Sequence, residues 1–316
     1  MTSTRVAAID CGTNSIRLLV ADVDAVGNLT ELDRRMEVVR LGQGVDRTGE
    51  LAPEALERTL AATRQYATAV EAAGAERVRF VATSATRDAR NRDAFFDGVR
   101  DALGVDVEVI SGHEEAQLSF RGATGAVAEN HAGPFLVVDL GGGSTELVLG
   151  TSTVDASISM DIGSVRMTER HLHGDPPSAG EIEEARADVR AHLDDAARVV
   201  PLGETATLVG LAGSITTVTA HALGLAEYRR ERVNQAELPV ETVLESCAAL
   251  LAAPRAERTA MGFLHPGRVD VIAAGALVWA EVIQRVAADV RTAGGSLTHV
   301  VTSEYDILDG IALSMG

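Results

Sequence analysis

Residues 6–22 read VAAIDCGTNSIRLLVAD, and residues 135–151 read FLVVDLGGGSTELVLGT. Each segment consists of an apolar run, a turn of small residues and a second apolar run, which is typical of a β-hairpin. At an offset of 129 residues, Asp10 falls on Asp139, Gly12 on Gly141 and Ser15 on Ser144. The sequence therefore contains an internal repeat and predicts two similar domains that face each other.

Strands and helices alternate in the rest of the chain, which predicts the α/β class. Predicted strands cover 6–9, 16–22, 37–41, 78–81, 105–110, 135–139, 146–150, 208–211 and 298–302. Predicted helices begin at 53, 87, 112, 178, 214, 269 and 306; those at 87, 269 and 306 extend to 103, 290 and 313. The expected domains are residues 1–125, completed by the terminal segment 304–316, and residues 126–303.

The composition excludes several kinds of function. All 28 basic residues are arginines, so mechanisms that need a catalytic lysine, such as P-loop, protein-kinase and pyridoxal chemistry, are ruled out. A net charge of −18 and only 3% aromatic residues argue against general nucleic-acid binding. A polyanionic substrate would need a local cleft lined by arginine. No apolar run suits a membrane span, no signal-peptide pattern precedes the first strand, and the two cysteines lie far apart, so a cytoplasmic location is expected.

The first turn has the residues of a phosphate site. Asp10 ends a strand, and Gly12, Thr13, Asn14 and Ser15 follow it. Small residues in a tight turn allow backbone amides and hydroxyls to approach phosphate oxygens, and a carboxylate at the start is a ligand that Mg²⁺ accepts. One copy alone fits an Asx turn that caps a hairpin equally well. Because the pattern occurs twice, the functional interpretation is favoured.

The second turn is richer in glycine. Gly141, Gly142 and Gly143 cost conformational entropy that a hairpin built only for packing would avoid, and they favour a backbone wrapped around phosphate oxygens. Ser144 and Thr145 complete this turn. Asp139 and Glu146 lie on adjoining strands, and two neighbouring carboxylates repel each other unless a cation or a proton lies between them. The pair therefore predicts a Mg²⁺ site.

Three further segments supply candidate residues. Glu114 and Glu115 begin a helix, where either is a general base for water or simply a carboxylate favoured by the helix dipole. Arg87, after a strand, and Arg17, after the first turn, are candidate phosphate clamps. Gly213 and Ser214 form a strand–turn–helix cradle, which by itself is a weak signal.

Seven segments together resemble the exopolyphosphatase/guanosine-pentaphosphate phosphohydrolase (Ppx/GppA) family. In chain order they are IDCGTNSIRLLVAD, ATSATRDARN, ISGHEEAQLSFRGA, VVDLGGGSTELVLG, GLAGSITT, GRVDVIAAGA and SEYDILDGIAL. The resemblance implies two RNase H-like domains of the actin, sugar-kinase and acetate-kinase superfamily, which flank a central cleft. The chain resembles the short two-domain form of the family.

The resemblance also assigns roles. Glu115 matches the catalytic base, Asp139, Ser144 and Glu146 match metal and phosphate positions, and Asp10, Asn14, Ser15, Arg17 and Arg87 match residues that line the cleft. The implied metal ligands are Asp10, Asp139 and Glu146, with Mg²⁺ as cofactor and Mn²⁺ able to replace it. A homodimer is expected, and neither nucleic acid nor a membrane is an expected partner. Arg268 and Asp270 match a family motif without an assigned role, and Cys11 is interpreted as a small buried apolar residue.

The expected activity is removal of the terminal phosphate of inorganic polyphosphate, with water attacking the terminal phosphorus. Hydrolysis of guanosine pentaphosphate is equally compatible with the motifs, because both substrates carry the same terminal phosphoanhydride. Two further candidate functions are a kinase of the same superfamily and a non-catalytic polyphosphate or nucleotide sensor. The position of Glu115 and the triglycine turn favour water as acceptor over a kinase substrate, and the intact carboxylates argue against a sensor.

Overall fold

A computed structural model describes residues 3–316 and divides the chain into two compact units. Unit 1 is the chain up to Gly122 together with Ile307–Gly316, and unit 2 is Ala123–Asp306. The domain ends expected from the sequence, residues 125 and 303, lie close to these divisions. That the two units are the two predicted domains stays a prediction.

Unit 1 is built on a five-stranded mixed sheet with the order β3-β2-β1-β4-β5. The hairpin β1–β2 and the edge strand β3 are antiparallel, whereas β1, β4 and β5 are parallel. The strand bounds are β1 Ser3–Cys11, β2 Ser15–Asp24, β3 Leu29–Val38, β4 Arg77–Ala82 and β5 Val107–Val109.

Helices cover both faces of this sheet. Ile9 and Leu18 face a layer that contains Tyr66 and Phe95, and Val6 and Leu19 face the C-terminal helix on the other side. Tyr66 also donates a hydrogen bond from its hydroxyl to the carbonyl of Ile16 (3.0 Å), so this buried phenol is satisfied. The helices are α1 Val45–Thr48, α2 Pro53–Ala73, α3 Ser84–Asp88, α4 Asp93–Leu103, α5 Gly112–Val127, which runs on into unit 2, and α13 Ile307–Leu313.

Unit 2 contains a six-stranded mixed sheet with the order β10-β11-β9-β6-β7-β8. Its central strand β6 pairs antiparallel with β7 and parallel with β9. The strands are β6 Phe135–Leu140, β7 Thr145–Gly150, β8 Val154–Met160, β9 Thr207–Leu211, β10 Glu237–Pro239 and β11 His299–Thr302. The helices are α6 Ser164–His171, α7 Ala179–Ala196, α8 Ala212–Ala222, α9 Arg230–Val233, α10 Val240–Ala252, α11 Arg255–Ala260 and α12 Ile272–Thr292.

The repeat seen in the sequence is also a repeat of topology. If β10 is left out, the second sheet has the order β8-β7-β6-β9-β11, and the first sheet has the order β3-β2-β1-β4-β5. Strands at the same position in the two orders come at the same place along the chain of their unit and run in the same direction. The likeness continues beyond the hairpins, because ATSAT at 82–86 and AGSIT at 212–216 each follow the parallel neighbour of the first strand. The α/β class with two mixed sheets is confirmed.

Two predicted elements of unit 1 were wrong in extent. The third strand is Leu29–Val38 rather than 37–41, because a charged edge strand carries no apolar run that marks it. The predicted helix 87–103 is two helices, α3 and α4. Ala89 between them is extended, and the Asn91 side chain bonds to both backbone groups of Leu51 (2.8 and 3.0 Å), which competes with helix continuation.

The capping box predicted at Ser178 and Glu181 is present, and it gives stability a specific dependence on pH. The Glu181 carboxylate accepts from the backbone amides of Ser178, His173 and Gly174 (2.7, 2.9 and 2.9 Å). These bonds, that from Ser178 foremost, lower the pKa of Glu181 from 4.5 to about 2. A lowered folded-state pKa stabilises the protein above the unfolded value, and this contribution is lost as pH falls from 4.5 to 2.

We therefore expect Glu181→Gln to unfold at a lower urea concentration than the native chain at pH 6, with the difference shrinking as pH approaches 2. Urea midpoints measured from pH 6 down to pH 2 test this expectation. Glu184→Gln, on the exposed face of the same helix, is the matched control and should track the native curve. A constant offset for Glu181→Gln across this range would contradict the assignment.

Candidate active site

Backbone hydrogen bonds fix the conformation of the first turn. Gly12 closes the turn with a hydrogen bond from its amide to the carbonyl of Ser15 (3.0 Å), and the carbonyl of Thr13 accepts from the amide of Gly42 (2.9 Å). A carbonyl and the next amide point in opposite directions across a trans peptide. Anchoring the Thr13 carbonyl therefore aims the amide of Asn14 to the side opposite Gly42, an arrangement that suits an anion site.

Three buried polar atoms around this turn find no hydrogen-bond partner in the described part of the chain. They are the Thr13 hydroxyl, the side-chain oxygen of Asn14 and the Thr86 hydroxyl on α3. Buried polar groups are rarely left unsatisfied in native proteins unless a ligand, ion or water completes them. These atoms therefore support a polar ligand at the turn of unit 1.

Asp10 and Arg17 form a buried ion pair beside the turn. They lie directly opposite each other on β1 and β2, and Arg17 donates from Nη2 and Nε to Asp10 Oδ2 (2.6 and 3.0 Å). Asp10 was expected to hold a metal and Arg17 a phosphate. Because each of these charges is balanced by the other, the pair adds little net charge at this point of unit 1.

The sequence left either Glu114 or Glu115 as the base, and the structure separates their surroundings. Glu114 is half-exposed and pairs with Arg79 (2.7 Å), whereas Glu115 is only 8% exposed. Arg87 donates from Nη1 to Glu115 Oε2 (2.7 Å) and to the carbonyl of Ile110 (3.0 Å), which fixes the carboxylate on the first turn of α5. Among residues 3–316, Arg87 shows no bond from Nη2, which leaves that nitrogen for a phosphate oxygen.

The triglycine turn of unit 2 is anchored in the same way by the start of α6. The amide of Ser164 donates to the carbonyl of Gly141 (2.9 Å), and those of Val165 and Arg166 donate to the carbonyl of Gly142 (2.8 and 3.1 Å). The peptide groups of the turn are thereby oriented with the amides of Gly142 and Gly143 on the opposite side. This backbone can hold phosphate oxygens without any side chain.

Asp139 and Glu146 are brought together as the sequence predicted. They are register partners on β6 and β7, so their Cβ atoms are ~5 Å apart. Glu146 is fully buried and accepts a hydrogen bond from the Ser159 hydroxyl on β8 (2.6 Å), while Asp139 is 7% exposed. A pair of hard carboxylate ligands suits a divalent cation such as Mg²⁺, which commonly binds through one or two protein carboxylates together with substrate phosphates.

The third predicted metal ligand, Asp10, lies in unit 1, and its role as a ligand stays a prediction. Within residues 3–316 no three His, Cys, Asp or Glu side chains are grouped so as to hold a metal ion. A metal cage of three carboxylates is therefore not preformed. Asp139 and Glu146 remain the fitting pair.

Thr145 is a correction to the predicted phosphate contacts. Its side chain is fully buried and its hydroxyl donates to the carbonyl of Ile162 (3.0 Å), so it holds β7 to the segment before α6 and does not face a ligand. The neighbouring Ser144 has no such bond among the described residues.

The second cradle of unit 2 lies against Arg268. A Cβ atom built on Gly213 would lie 2.1 Å from Cζ of Arg268, so the guanidinium packs directly on the glycine backbone. A Cβ on Gly275 would lie 2.3 Å from the Ser214 hydroxyl and 3.5 Å from Cβ of Ser164, which places the cradle next to the start of α6. Arg268, to which the sequence gave no role, thus brings a cation to Gly213 and Ser214.

Cys11 is a buried apolar neighbour of Asp10 in this structure. It is 1% exposed, and burial raises the pKa of its thiol well above the usual value. A neutral, inaccessible thiol supports the interpretation as a packing residue.

Sequence reasoning missed two residues that support the turns. Ser159 lies on β8, a strand without an apolar run, and Arg166 follows a Gly-Ser pair that resembles an ordinary loop. Only Arg166 could have been found from the sequence, because Gly163 and Ser164 precede a short run of residues with helical propensity.

The geometry defines a phosphate-handling α/β protein with duplicated hairpin turns. The Ppx/GppA phosphatase family model matches residues 19–305, and the chain belongs to this family. It is 51% identical to Exopolyphosphatase 2 of Mycobacterium tuberculosis, over all of this chain and 99% of that protein.

Solved structures agree with the assignment. A crystal structure of an exopolyphosphatase-like protein covers all of this chain and 98% of its own, at 48% identity and a TM-score of 0.97. The exopolyphosphatase of Cytophaga hutchinsonii covers 99% of this chain and 97% of its own, at 26% identity and a TM-score of 0.82. The predicted family and RNase H-like fold are confirmed, and the chain is a phosphoanhydride hydrolase of a family that is generally dependent on divalent metals. No helix in the described residues has the length and apolarity to cross a membrane.

Proposed function

We propose that this protein is an exopolyphosphatase, which releases orthophosphate from the end of inorganic polyphosphate. The observation that carries the proposal is the 51% identity, over the whole chain, to Exopolyphosphatase 2. The geometry supports the proposal, because backbone hydrogen bonds anchor the carbonyls of one glycine-containing turn in each unit. In unit 1, Glu115 is buried, pairs with Arg87 and begins the helix after β5.

Glu115 is the proposed general base. Its carboxylate accepts a proton from water as the water oxygen bonds to the terminal phosphorus, and the bond from that phosphorus to the bridging oxygen breaks. The products are orthophosphate and a chain shorter by one phosphate, whose new end carries the bridging oxygen. Arg87 holds the carboxylate by its 2.7 Å bond, so the base is oriented before substrate arrives.

The turns are the proposed phosphate grip. In unit 1 the proposed phosphate-binding residues are Gly12, Thr13, Asn14, Ser15 and Arg17. In unit 2 they are Gly141, Gly142, Gly143 and Ser144, together with Gly213 and Ser214. Amides aimed outward bind phosphate oxygens without requiring a net positive surface, which fits a chain of net charge −18. Arg87 adds a cation beside Glu115, with its Nη2 available for a phosphate oxygen.

The proposed cofactor is Mg²⁺, which Mn²⁺ can replace, held by Asp139 and Glu146. When bound, such an ion neutralises charge on the transferred phosphoryl group. Ser159 orients Glu146 through its 2.6 Å hydrogen bond.

The test is phosphate release from tripolyphosphate, long-chain polyphosphate and guanosine pentaphosphate, each with Mg²⁺, with Mn²⁺ and with EDTA. We expect metal-dependent release from at least one polyphosphate. Release from guanosine pentaphosphate alone would replace the proposal with the alarmone hydrolase. ATP with sugars or acetate tests a kinase, and binding without release of any product would indicate a sensor.

The remaining expectations are part of the same proposal. They are a cytoplasmic location and a homodimer. Sedimentation of the purified chain measures the oligomeric state directly. Neither nucleic acid nor a membrane is a proposed partner, because the net charge repels nucleic acid and anionic lipid alike.

A further inference from the structure

Arg166 is a buried cation directly behind the triglycine turn, and the mechanism above does not use its side chain. The residue is only 9% exposed, although a guanidinium is costly to remove from water. Its Nε donates to the carbonyl of Gly143 (2.7 Å), and its Nη2 lies 3.6 Å from the largely exposed carboxylate of Asp161. A charged donor makes a stronger hydrogen bond to a carbonyl than a neutral one does.

Arg166 donates the shorter of the two hydrogen bonds that anchor the carbonyl of Gly143 in the turn. Backbone amides of α6 hold the carbonyls of Gly141 and Gly142, and the third carbonyl, that of Gly143, accepts from the amide of Gly163 (3.2 Å) and from Nε of Arg166 (2.7 Å). Because the peptide group is planar and trans, a fixed Gly143 carbonyl aims the Ser144 amide to the opposite side. Three consecutive glycines have no side chains that could restrict this peptide group, so an external anchor is needed.

The charge of Arg166 acts in the same place. The whole chain carries a net charge of −18, which repels a polyanion at long range. That surface field is screened by salt over about 8 Å under physiological conditions, whereas a buried charge is screened much less. A cation behind the turn therefore favours phosphate on the other side of it.

We infer that Arg166 is a positioning residue of the phosphate-binding turn, which orients the Ser144 amide and adds a buried positive charge for a terminal phosphate group. The ligand class rests on the proposed function. The orienting role does not, because it follows from the contacts of Arg166 with the turn.

Arg166→Met removes the charge and the hydrogen bond while keeping the aliphatic stem. We expect it to weaken binding of tripolyphosphate at least tenfold, measured by calorimetry in EDTA so that no metal or turnover contributes. Amide hydrogen exchange in peptides that cover 141–145 should become faster. In steady-state assays, KM should rise by more than kcat falls.

Arg170→Met is the matched control. Arg170 lies one turn further along α6, where it donates to the carbonyl of Asp161 (3.2 Å) and pairs with Asp188 (3.6 Å), two residues outside the glycine turn. The affinity and hydrogen exchange of this variant should equal those of the native chain. If Arg166→Met does not fold, Arg166→Lys is used, which keeps the charge but lacks the Nε donor; faster exchange at 141–145 is then the expected result.

Native affinity and native exchange in a folded Arg166→Met variant would overturn the inference, as would native exchange in Arg166→Lys if that variant has to be used. A native chain that binds tripolyphosphate without hydrolysing it would contradict the proposed function only. If the native chain does not bind tripolyphosphate, the ligand class fails and hydrogen exchange alone decides the orienting role.

Discussion

Glu115→Gln should lower kcat for polyphosphate hydrolysis by roughly 10²–10⁴-fold, because the amide cannot accept a proton from water. The side chains are nearly isosteric, and the amide oxygen can still accept the hydrogen bond that Arg87 gives to Glu115 (2.7 Å). The fold and the binding of substrate should therefore survive. Phosphate release, and calorimetric binding of tripolyphosphate in EDTA, measure the two effects separately.

Glu114→Gln is the control for this experiment, since it changes the adjacent residue on the same helix. Glu114 is half-exposed and pairs with Arg79, so its loss should change kcat by less than about twofold; an exposed pair contributes little. If Glu115→Gln keeps most of its activity, Glu115 is not the base. Equal losses in the two variants would point to a disturbed helix start.

Gly163→Ala should lower kcat/KM by about 100-fold, because ~1 Å of misplacement at a reacting centre has an effect of that size. The new Cβ would lie 2.3 Å from the carbonyl carbon of Gly142 and 2.4 Å from the Gly143 nitrogen. These are backbone atoms and cannot rotate away, so either the triglycine turn or the start of α6 must move. Overpacking of this kind also costs about 1–3 kcal/mol of stability.

Gly180→Ala separates this steric effect from the general effect of replacing glycine. Gly180 lies in the first turn of α7, and a Cβ there would have nothing within 4 Å. Activity should be unchanged and the urea midpoint equal or slightly higher, since alanine favours helix. Native kcat/KM in Gly163→Ala, with native hydrogen exchange at 141–145, would show that the turn tolerates displacement.

Much of the fold could be predicted from the sequence, because β1 and β6 are covered on both faces of their sheets. A strand that is buried on both faces has a continuous apolar run in its sequence. Residues 6–9 and 135–139 were predicted on this ground, and β1 and β6 include them. The edge strands β3 and β8 were misplaced or missed because one side faces solvent and their residues are mostly polar. Each of these edge strands forms by pairing with the adjacent strand, and the composition of its own residues does not indicate that pairing.

Some site contacts could be predicted from the sequence and others could not. Asp139 and Glu146 were predicted as a pair because the hairpin fixes their register, and the structure places them opposite each other. The Arg87–Glu115 bond joins residues 28 positions apart, and the Arg166–Gly143 bond spans 23, so neither follows from spacing. Thr145 was assigned to the phosphate site from its place in the turn, but strand alternation turns it into the protein.

The register partners of the two first-strand aspartates differ in the sign of their charge: Arg17 faces Asp10, and Glu146 faces Asp139. The two hairpins therefore differ in local charge at this position. The first copy pairs two opposite charges, and the second places two carboxylates opposite each other, to which the proposed cation would bind. An Arg17→Glu substitution would make the two copies alike again and would give unit 1 an acidic pair of its own.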